Sequence, residues 1–379
     1  MIKCEDNYNV PDDEIESIFL CQDDWANTGF RFTRCLNMIG IKAKLLKANP
    51  HAFNYPIQAE RCSEILPGGG TPLINKISLF ETSRIKRIIT SSKCKVIHFH
   101  ASNYVQDVAN WINGNAGEKN VVVQHGGTSY RLNPNGSNAL FNPLVDASII
   151  QCPDLYNLGS KNEHLIYYPV DTDLILPAYR DLNSKQPIKI GHFPSTPSVK
   201  GTPTIVTEIN RAENMDSSRG RFEYIGVGST NWPRTNDGGS RLSWPDQLDR
   251  VRQADVMIET VSALNHGKTF GEWGNTALEC SALGKIVITN TLTAELYKQL
   301  YGDCPLHVAN NGAELQQQIQ KVISYSPEEF LQEQMKSRAW AVKHHSMGAT
   351  AKRIWDKVYR PFFPEKVESV NNIINQMNL

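Results

Sequence analysis

Two stretches of the chain carry residue types at spacings that could do chemistry. In residues 188–205 (IKIGHFPSTPSVKGTPTI) an apolar run gives way to a polar loop holding Ser195 and Lys200, and Gly201-Thr202 then opens a helix. Backbone N–H groups at a helix N-terminus beside a lysine form an anion site, worth most for a diphosphate that gains charge as it departs. In residues 268–289 (KTFGEWGNTALECSALGKIVIT) Lys268 precedes a glycine-rich turn ending at Gly274, which leads into a helix carrying Glu279. The N–H groups of that turn and of Asn275 and Thr276 are further donors, and a carboxylate such as Glu279 can accept from vicinal hydroxyls. Each stretch also has a plain reading, a surface lysine ahead of a helix and a solvated glutamate, so neither assigns a ligand alone.

The elements that must position these residues follow from apolar periodicity. Buried strands are expected over 17–21, 41–46, 95–100, 121–124 and 147–151, with helices over 30–39 and around 105–112. Gly40 stops the first helix, and the strand–helix–strand order demands a parallel sheet. A polar stretch with prolines, 170–187, reads as a linker. The alternation then restarts, with strands over 188–192, 222–227, 256–259 and 285–289 and helices over 202–212, 245–252 and 276–283. Ser243 with Asp246 and Pro245 forms a helix start, Thr202-Pro203 another, and Gly284 a stop. The fold class is therefore α/β, two successive doubly wound halves, with ligands expected at the C-terminal ends of the strands facing the gap between the halves. The stretch 327–359 reads as helical and amphipathic, and 365–379 as a loose tail or a short helix that binds a partner.

Composition removes several classes. Lys+Arg and Asp+Glu both number 39, so a generally basic nucleic-acid coat or polybasic membrane binder is excluded, although a local basic groove is not. No apolar run reaches the roughly 18 residues a transmembrane helix needs. The N-terminal residues lack a signal-peptide pattern, so a cytoplasmic location is expected. The eight cysteines contain no C-x-x-C pair and read as packing residues. His98 and His100 share a strand face, which permits a metal pair, but they read better as packed core residues. Asp171-Thr172-Asp173 spells a D-x-D pattern that elsewhere binds a divalent metal, yet it stands at the junction of the halves.

Five segments in order resemble the GT-B nucleotide-sugar glycosyltransferases, in particular glycosyltransferase family 4. They are residues 23–46, 124–131 (QHGGTSYR), 168–177 (YPVDTDLILP), 192–202 (HFPSTPSVKGT) and 271–285 (GEWGNTALECSALGK), and together they span nearly the whole chain. The resemblance implies two Rossmann-like domains facing a cleft: an acceptor domain over 1–169 and a donor domain over 170–345. A C-terminal helix at about 346–364 would cross back to the first domain, with Trp340, Trp355, Tyr359, Phe362 and Phe363 packing there.

It also implies roles. Glu279 matches the second glutamate of a paired motif that holds the donor ribose. Lys200, with Gly201, matches the element that contacts the diphosphate. His125 matches a histidine close to the transferred sugar, and Asn27 to Gly29 match a loop near donor phosphate and acceptor. The sequence departs from the pattern at Gly271, where the first motif glutamate usually stands, and at Pro194, where an arginine is common; Glu272, Lys268 and Ser195 are the candidates to substitute.

The expected activity is retaining transfer of a hexose or pentose from a UDP- or GDP-sugar to a hydroxyl acceptor, by front-face substitution. His125, Lys200 and Glu272 would be central, and no metal or other cofactor is expected to be essential. The acceptor expected first is a glycan or lipid-linked glycan. A hydroxylated base in DNA is the alternative, served by Arg31 and Arg34 with Lys42, Lys44, Lys47, Arg84, Lys86 and Arg87. Further alternatives are a sugar-nucleotide epimerase and a non-catalytic sugar-nucleotide-binding protein.

Overall fold

A computed structural model describes residues 10–49, 63–65, 83–101, 105–229, 243–261, 264–265, 268–269 and 273–377. The chain divides into two compact units, unit 1 comprising Met1–Pro169 with Ser346–Leu379 and unit 2 comprising Val170–His345.

Unit 1 is built on a parallel sheet of β1 (Ser17–Asp23), β2 (Ala43–Asn49), β3 (Ser63–Ile65), β4 (Val96–Ala101), β5 (Asn120–His125), β6 (Ala147–Ile150) and β7 (Glu163–Leu165), in the order β3-β2-β1-β4-β5-β6-β7. Alternate residues of β1 serve opposite cores. Phe19 and Cys21 join Phe32, Leu36, Leu45 and Ile149 on one face, while Ile18 and Leu20 join Ile97, Phe99, Trp111 and Phe141 on the other. Burial of both faces is why these strands read as continuous apolar runs. Helix Thr28–Met38 follows β1, and Gly40 takes the left-handed conformation (φ 84°) that ends it, as expected of a glycine stop.

Unit 2 holds a second parallel sheet of β8 (Ile188–Gly191), β9 (Phe222–Tyr224), β10 (Val256–Thr260), β13 (Ile286–Thr289) and β14 (His307–Val308), ordered β14-β13-β10-β8-β9, and an antiparallel hairpin of β11 (Leu264–Asn265) with β12 (Lys268–Thr269). Its core gathers Ile190, Val256, Ile258, Ile286 and Ile288 with Ile205 and Ile209 of helix Thr202–Glu213. Ser243 caps helix Trp244–Gln253 by accepting from the Asp246 N–H, and Gly284 (φ 72°) closes helix Asn275–Ala282 ahead of β13.

The C-terminal region is helical over most of 327–359, in two helices. Helix Pro327–Trp340, with a capping box at Ser326 and Glu329, ends in a widened turn over Ala341–His345. Ser346 then adopts an extended conformation and caps a new helix, Met347–Ile354, through the Ala349 N–H. The break coincides with the passage from unit 2 to unit 1. Trp340 consequently packs in unit 2 against Trp273 and Tyr297, not with the other C-terminal aromatics. Trp355, Tyr359 and Phe363 lie in the unit 1 core. Residues 365–377 are not a loose tail: helix Val367–Gln376 buries Val370 and Ile374 in that same core, and Trp355 Nε1 donates to Asn371.

Candidate functional site

In unit 2, three chain segments converge on one charged centre. β8 runs into a loop that carries exposed Ser195 and then Lys200, and Gly201 (φ 69°) turns the chain into helix Thr202–Glu213. His192 fastens that loop. It is fully buried, and desolvation pushes its imidazole down to about 4, so at neutral pH it is uncharged. Its Nδ1–H donates to the Ile258 carbonyl (2.8 Å) and its Nε2 accepts from the Thr202 hydroxyl (2.9 Å), which ties the helix start to β10.

The Lys200 ammonium forms an ion pair with Glu259 at the end of β10. The same Glu259 oxygen accepts from the Gly274 N–H (3.3 Å), and its other oxygen accepts from Thr289 Oγ1 (3.0 Å). A Cβ at Gly274 would lie 3.3 Å from Glu259 Oε1 and 3.4 Å from Lys200 Nζ, so the backbone approaches the pair closely. One residue on, the Asn275 amide donates to Glu279 Oε1 (2.9 Å), which also accepts from the Trp244 indole N–H (3.0 Å). Glu279 is thus a buried, oriented carboxylate rather than a solvated helix residue. Thr276 is half-buried in the first turn. Lys268 lies on β12 opposite Asn265. Glu272 and Gly271 lie outside the described residues.

Sequence reasoning missed Glu259 and Trp244. The first carries a visible signal, an acid at the end of an otherwise apolar strand, which only its tertiary pairing with Lys200 makes meaningful.

In unit 1, the loop after β1 is organised by Asp24. This buried carboxylate accepts from the Gly29 (2.6 Å) and Phe30 (3.1 Å) N–H groups, occupying the start of helix Thr28–Met38. Burial raises its carboxyl above the ordinary value, with Lys47, those N–H groups and Arg31 opposing. Gly29 is needed for packing: a Cβ there would come within 3.0 Å of Phe19 and of Leu45. Asn27 is buried in a left-handed conformation (φ 56°).

The basic residues offered here for a DNA acceptor divide into buried and exposed ones, Lys86 among the exposed. Arg31, at 4% exposure, turns inward to donate to the Pro169 carbonyl (3.3 Å). Lys44 and Lys47 are buried as well, Lys44 reaching the Val10 carbonyl and Asp12. Exposed Lys42 pairs with Glu14 and Arg87 with Asp12, and Arg34 is half-buried. Asp171 of the D-x-D pattern accepts from the Leu174 N–H in a turn.

The ends of β4, β5 and β6 carry a different chemistry. His98, His100, Gln124, His125 and Gln151 are all buried. Desolvation pushes His98 to about 3, His100 to about 4 and His125 to about 3, so all three rings are neutral. His98 Nδ1 hydrogen-bonds the Tyr359 hydroxyl (2.9 Å), and His125 stacks on Tyr130. Gln124 leans on His98 and Gln151 on His100. Even so, neither amide atom of either glutamine and neither ring nitrogen of His125 makes a well-formed hydrogen bond within the protein. Orphaned groups at such depth cost about 1–3 kcal/mol each and are the ones a ligand or ordered water satisfies.

Two parallel α/β units of this kind, with the chain returning to the first at its C-terminus, define the GT-B fold, and solved structures confirm that class. HepE from Anabaena, solved with UDP and glucose, superposes with a TM-score of 0.60 at 13% identity over 90% of this chain and 98% of that one. An alpha-glucosyltransferase solved with UDP-glucose and DNA containing an abasic site gives 0.60 at 11% identity over 90% and 98%. Sucrose-phosphate synthase from Thermosynechococcus elongatus gives 0.57 at 14% identity over 92% and 100%. No protein-family model matches the sequence, and no curated protein does.

Proposed function

We propose that the chain transfers a sugar from a nucleoside-diphosphate sugar, with a UDP-sugar the first choice, to a hydroxyl acceptor with retention of configuration. The observation that carries the reading is the unit 2 centre: an ammonium, Lys200, fixed beside the start of helix Asn275–Ala282, with the oriented Glu279 carboxylate anchored one residue along at Asn275. An anion belongs at the first and vicinal hydroxyls at the second. The structures that share this fold and were solved with UDP support UDP as the nucleotide to try first.

In the proposed reaction the bond between sugar C1 and the diphosphate oxygen breaks. The acceptor oxygen bonds to C1 on the face the diphosphate leaves, and the hydroxyl proton passes to the diphosphate oxygen. Lys200 and the Gly274–Thr276 N–H region stabilise the charge that develops on the leaving group. Asp24, Glu259 and Glu279 all accept hydrogen bonds that hold them in place, which favours front-face substitution over attack by an enzyme carboxylate. Unit 1, whose helix start is already filled by Asp24, is assigned no phosphate. Its neutral His100, Gln124, His125 and Gln151 are assigned to neutral, hydroxyl-bearing groups of acceptor or transferred sugar. A glycan or lipid-linked glycan is the acceptor proposed first. A hydroxylated DNA base is kept as a second reading because one structure of the same fold was solved with DNA.

The test incubates the full chain with UDP-sugars, with and without glycan, lipid-linked glycan and hydroxymethylated DNA, and reads products by mass spectrometry. One added sugar on an acceptor is the expected result, and the acceptor that gains it settles the class. Conversion of donor without acceptor would replace this reading with an epimerase, and nucleotide binding with no turnover would replace it with a binding protein.

A further inference from the structure

We propose that Glu259 is a positioning residue of the diphosphate site, holding the Lys200 ammonium and the Gly274 N–H on one point before the donor arrives. The inference rests on the donor-site reading above. It concerns a residue outside the 192–202 and 271–285 segments that carry the resemblance.

Glu259 sits in β10, the middle strand of the unit 2 sheet, between β13 and β8. Every residue of β10 is buried. The β10–β13 register shifts between Ile258 and Thr260, at Glu259 itself. Its side chain is 1% exposed whereas that of Lys200 is 18% exposed, so the carboxylate is the deeper member of the pair. A carboxylate is kept at such depth only where its oxygens are paired, and here both are: one by Lys200 and Gly274, the other by Thr289. Thr289 lies on the neighbouring strand β13, so the carboxylate is braced by the sheet rather than by a mobile loop.

The physical consequence concerns lysine. Its four-carbon stem has many rotamers, and a lone lysine must lose that freedom when it meets a phosphate. Pairing with a braced carboxylate removes the freedom in advance and places the charge where it acts. The same pairing partly neutralises the ammonium, so ground-state attraction for a diphosphate is lower than a free lysine would give. Preorganisation of this kind is expressed in the transition state, where charge on the leaving diphosphate grows. The signature is therefore a split: removing the carboxylate charge lowers turnover and does not weaken nucleotide binding.

Glu259→Gln tests this, because the amide oxygen still accepts from Thr289 or Gly274 while the ion pair is lost. UDP affinity is read by calorimetry, and kcat and donor KM by transfer to the acceptor found above. The expected result is UDP binding equal to or tighter than that of the parent, donor KM within threefold, and kcat at least tenfold lower. Glu259→Asp, which keeps the charge but shortens the reach, is expected to recover part of the kcat. In a Lys200→Ala background Glu259→Gln is expected to cost less than twofold further, because it acts through the lysine. The double variant should also melt higher than Lys200→Ala alone, which strands a buried carboxylate. A kcat within twofold of parent in Glu259→Gln, or multiplicative losses in the double variant, would overturn the inference and leave the donor site standing. Absence of UDP binding by the folded parent chain would instead overturn the donor-site reading beneath it.

Discussion

The strand ends of the two units are built on one plan and finished with opposite chemistries. In unit 1 the ends of β4, β5 and β6 present buried histidines and glutamines that are neutral and short of hydrogen bonds. In unit 2 the ends of β8 and β10 lead to a lysine and glutamates that are paired, with a neutral histidine serving only as a clasp. Each unit also places a buried carboxylate at the start of a helix, Asp24 on Gly29 and Phe30 and Glu259 on Gly274. Both have cations nearby, but Lys47 and Arg31 beside Asp24 are buried, whereas Lys200 beside Glu259 is partly exposed. The contrast divides the proposed labour, with anion handling in unit 2 and neutral, hydroxyl-rich groups in unit 1.

The largest effect expected from breaking the contrast is that of Lys200→Ala. Turnover should fall by about 10²–10³, the cost of losing a donor to developing charge. Unfolding in urea should show a loss of about 3–5 kcal/mol, because Glu259 is left buried without its partner. Turnover within a factor of three of the parent would remove Lys200 from the mechanism.

Acid should separate the units next. His98, His100 and His125 titrate at about 3 to 4 in the folded chain and near 6.5 when unfolded. Between those values the unfolded chain binds protons that the folded chain refuses, so stability is complete above about pH 6.5 and falls as the pH drops towards 3. Asp24, raised by burial, works in the opposite sense nearer its own range. In the core of unit 2 His192 behaves in the same way, at about 4, and His307 is lowered. Hydrogen-exchange protection factors should therefore fall more in β4 and β5 than in β8 and β10 on going from pH 7 to pH 5; equal falls would blur the distinction.

A smaller effect sharpens the account of unit 2. Trp244→Phe removes the indole donor that orients Glu279, and donor KM should rise about tenfold, the worth of a hydrogen bond to a charged group, with little change in kcat. An unchanged KM would mean that Asn275 alone orients the carboxylate. The smallest effect is expected from Tyr359→Phe, which removes the hydroxyl shared by Ser17 and His98 Nδ1. It should cost about 1 kcal/mol of stability and leave UDP affinity unchanged.

Much of this was legible in the sequence because the signals are local. Apolar runs such as VVVQ and KVIHFH mark strands buried on both faces, and Gly40 and Gly284 take the left-handed conformations their positions implied. Lys200 and Glu279, singled out by their place at helix starts and on a helix, meet neighbouring residues, Gly274 and Asn275 respectively. What escaped is tertiary. Glu259 is a single acid in a strand until Lys200, 59 positions away, is brought to it. Arg31, Lys44 and Lys47 read as surface by residue type and are buried because carbonyls and Asp12 lie within reach of Arg31 and Lys44. The amphipathic pattern runs through Ser346 because apolar faces are buried on both sides of the break, though in different units. In helix Val367–Gln376, Val370 and Ile374 show the four-residue spacing of a buried stripe, but over too few turns to announce it.

In the proposed reaction unit 2 alone receives the diphosphate. Hydrogen exchange of the full chain is compared with and without saturating UDP. The expected result is slowed exchange over 200–202 and 273–279, with 29–30, 98–101 and 124–127 unchanged. Slowing confined to the unit 1 segments would contradict it.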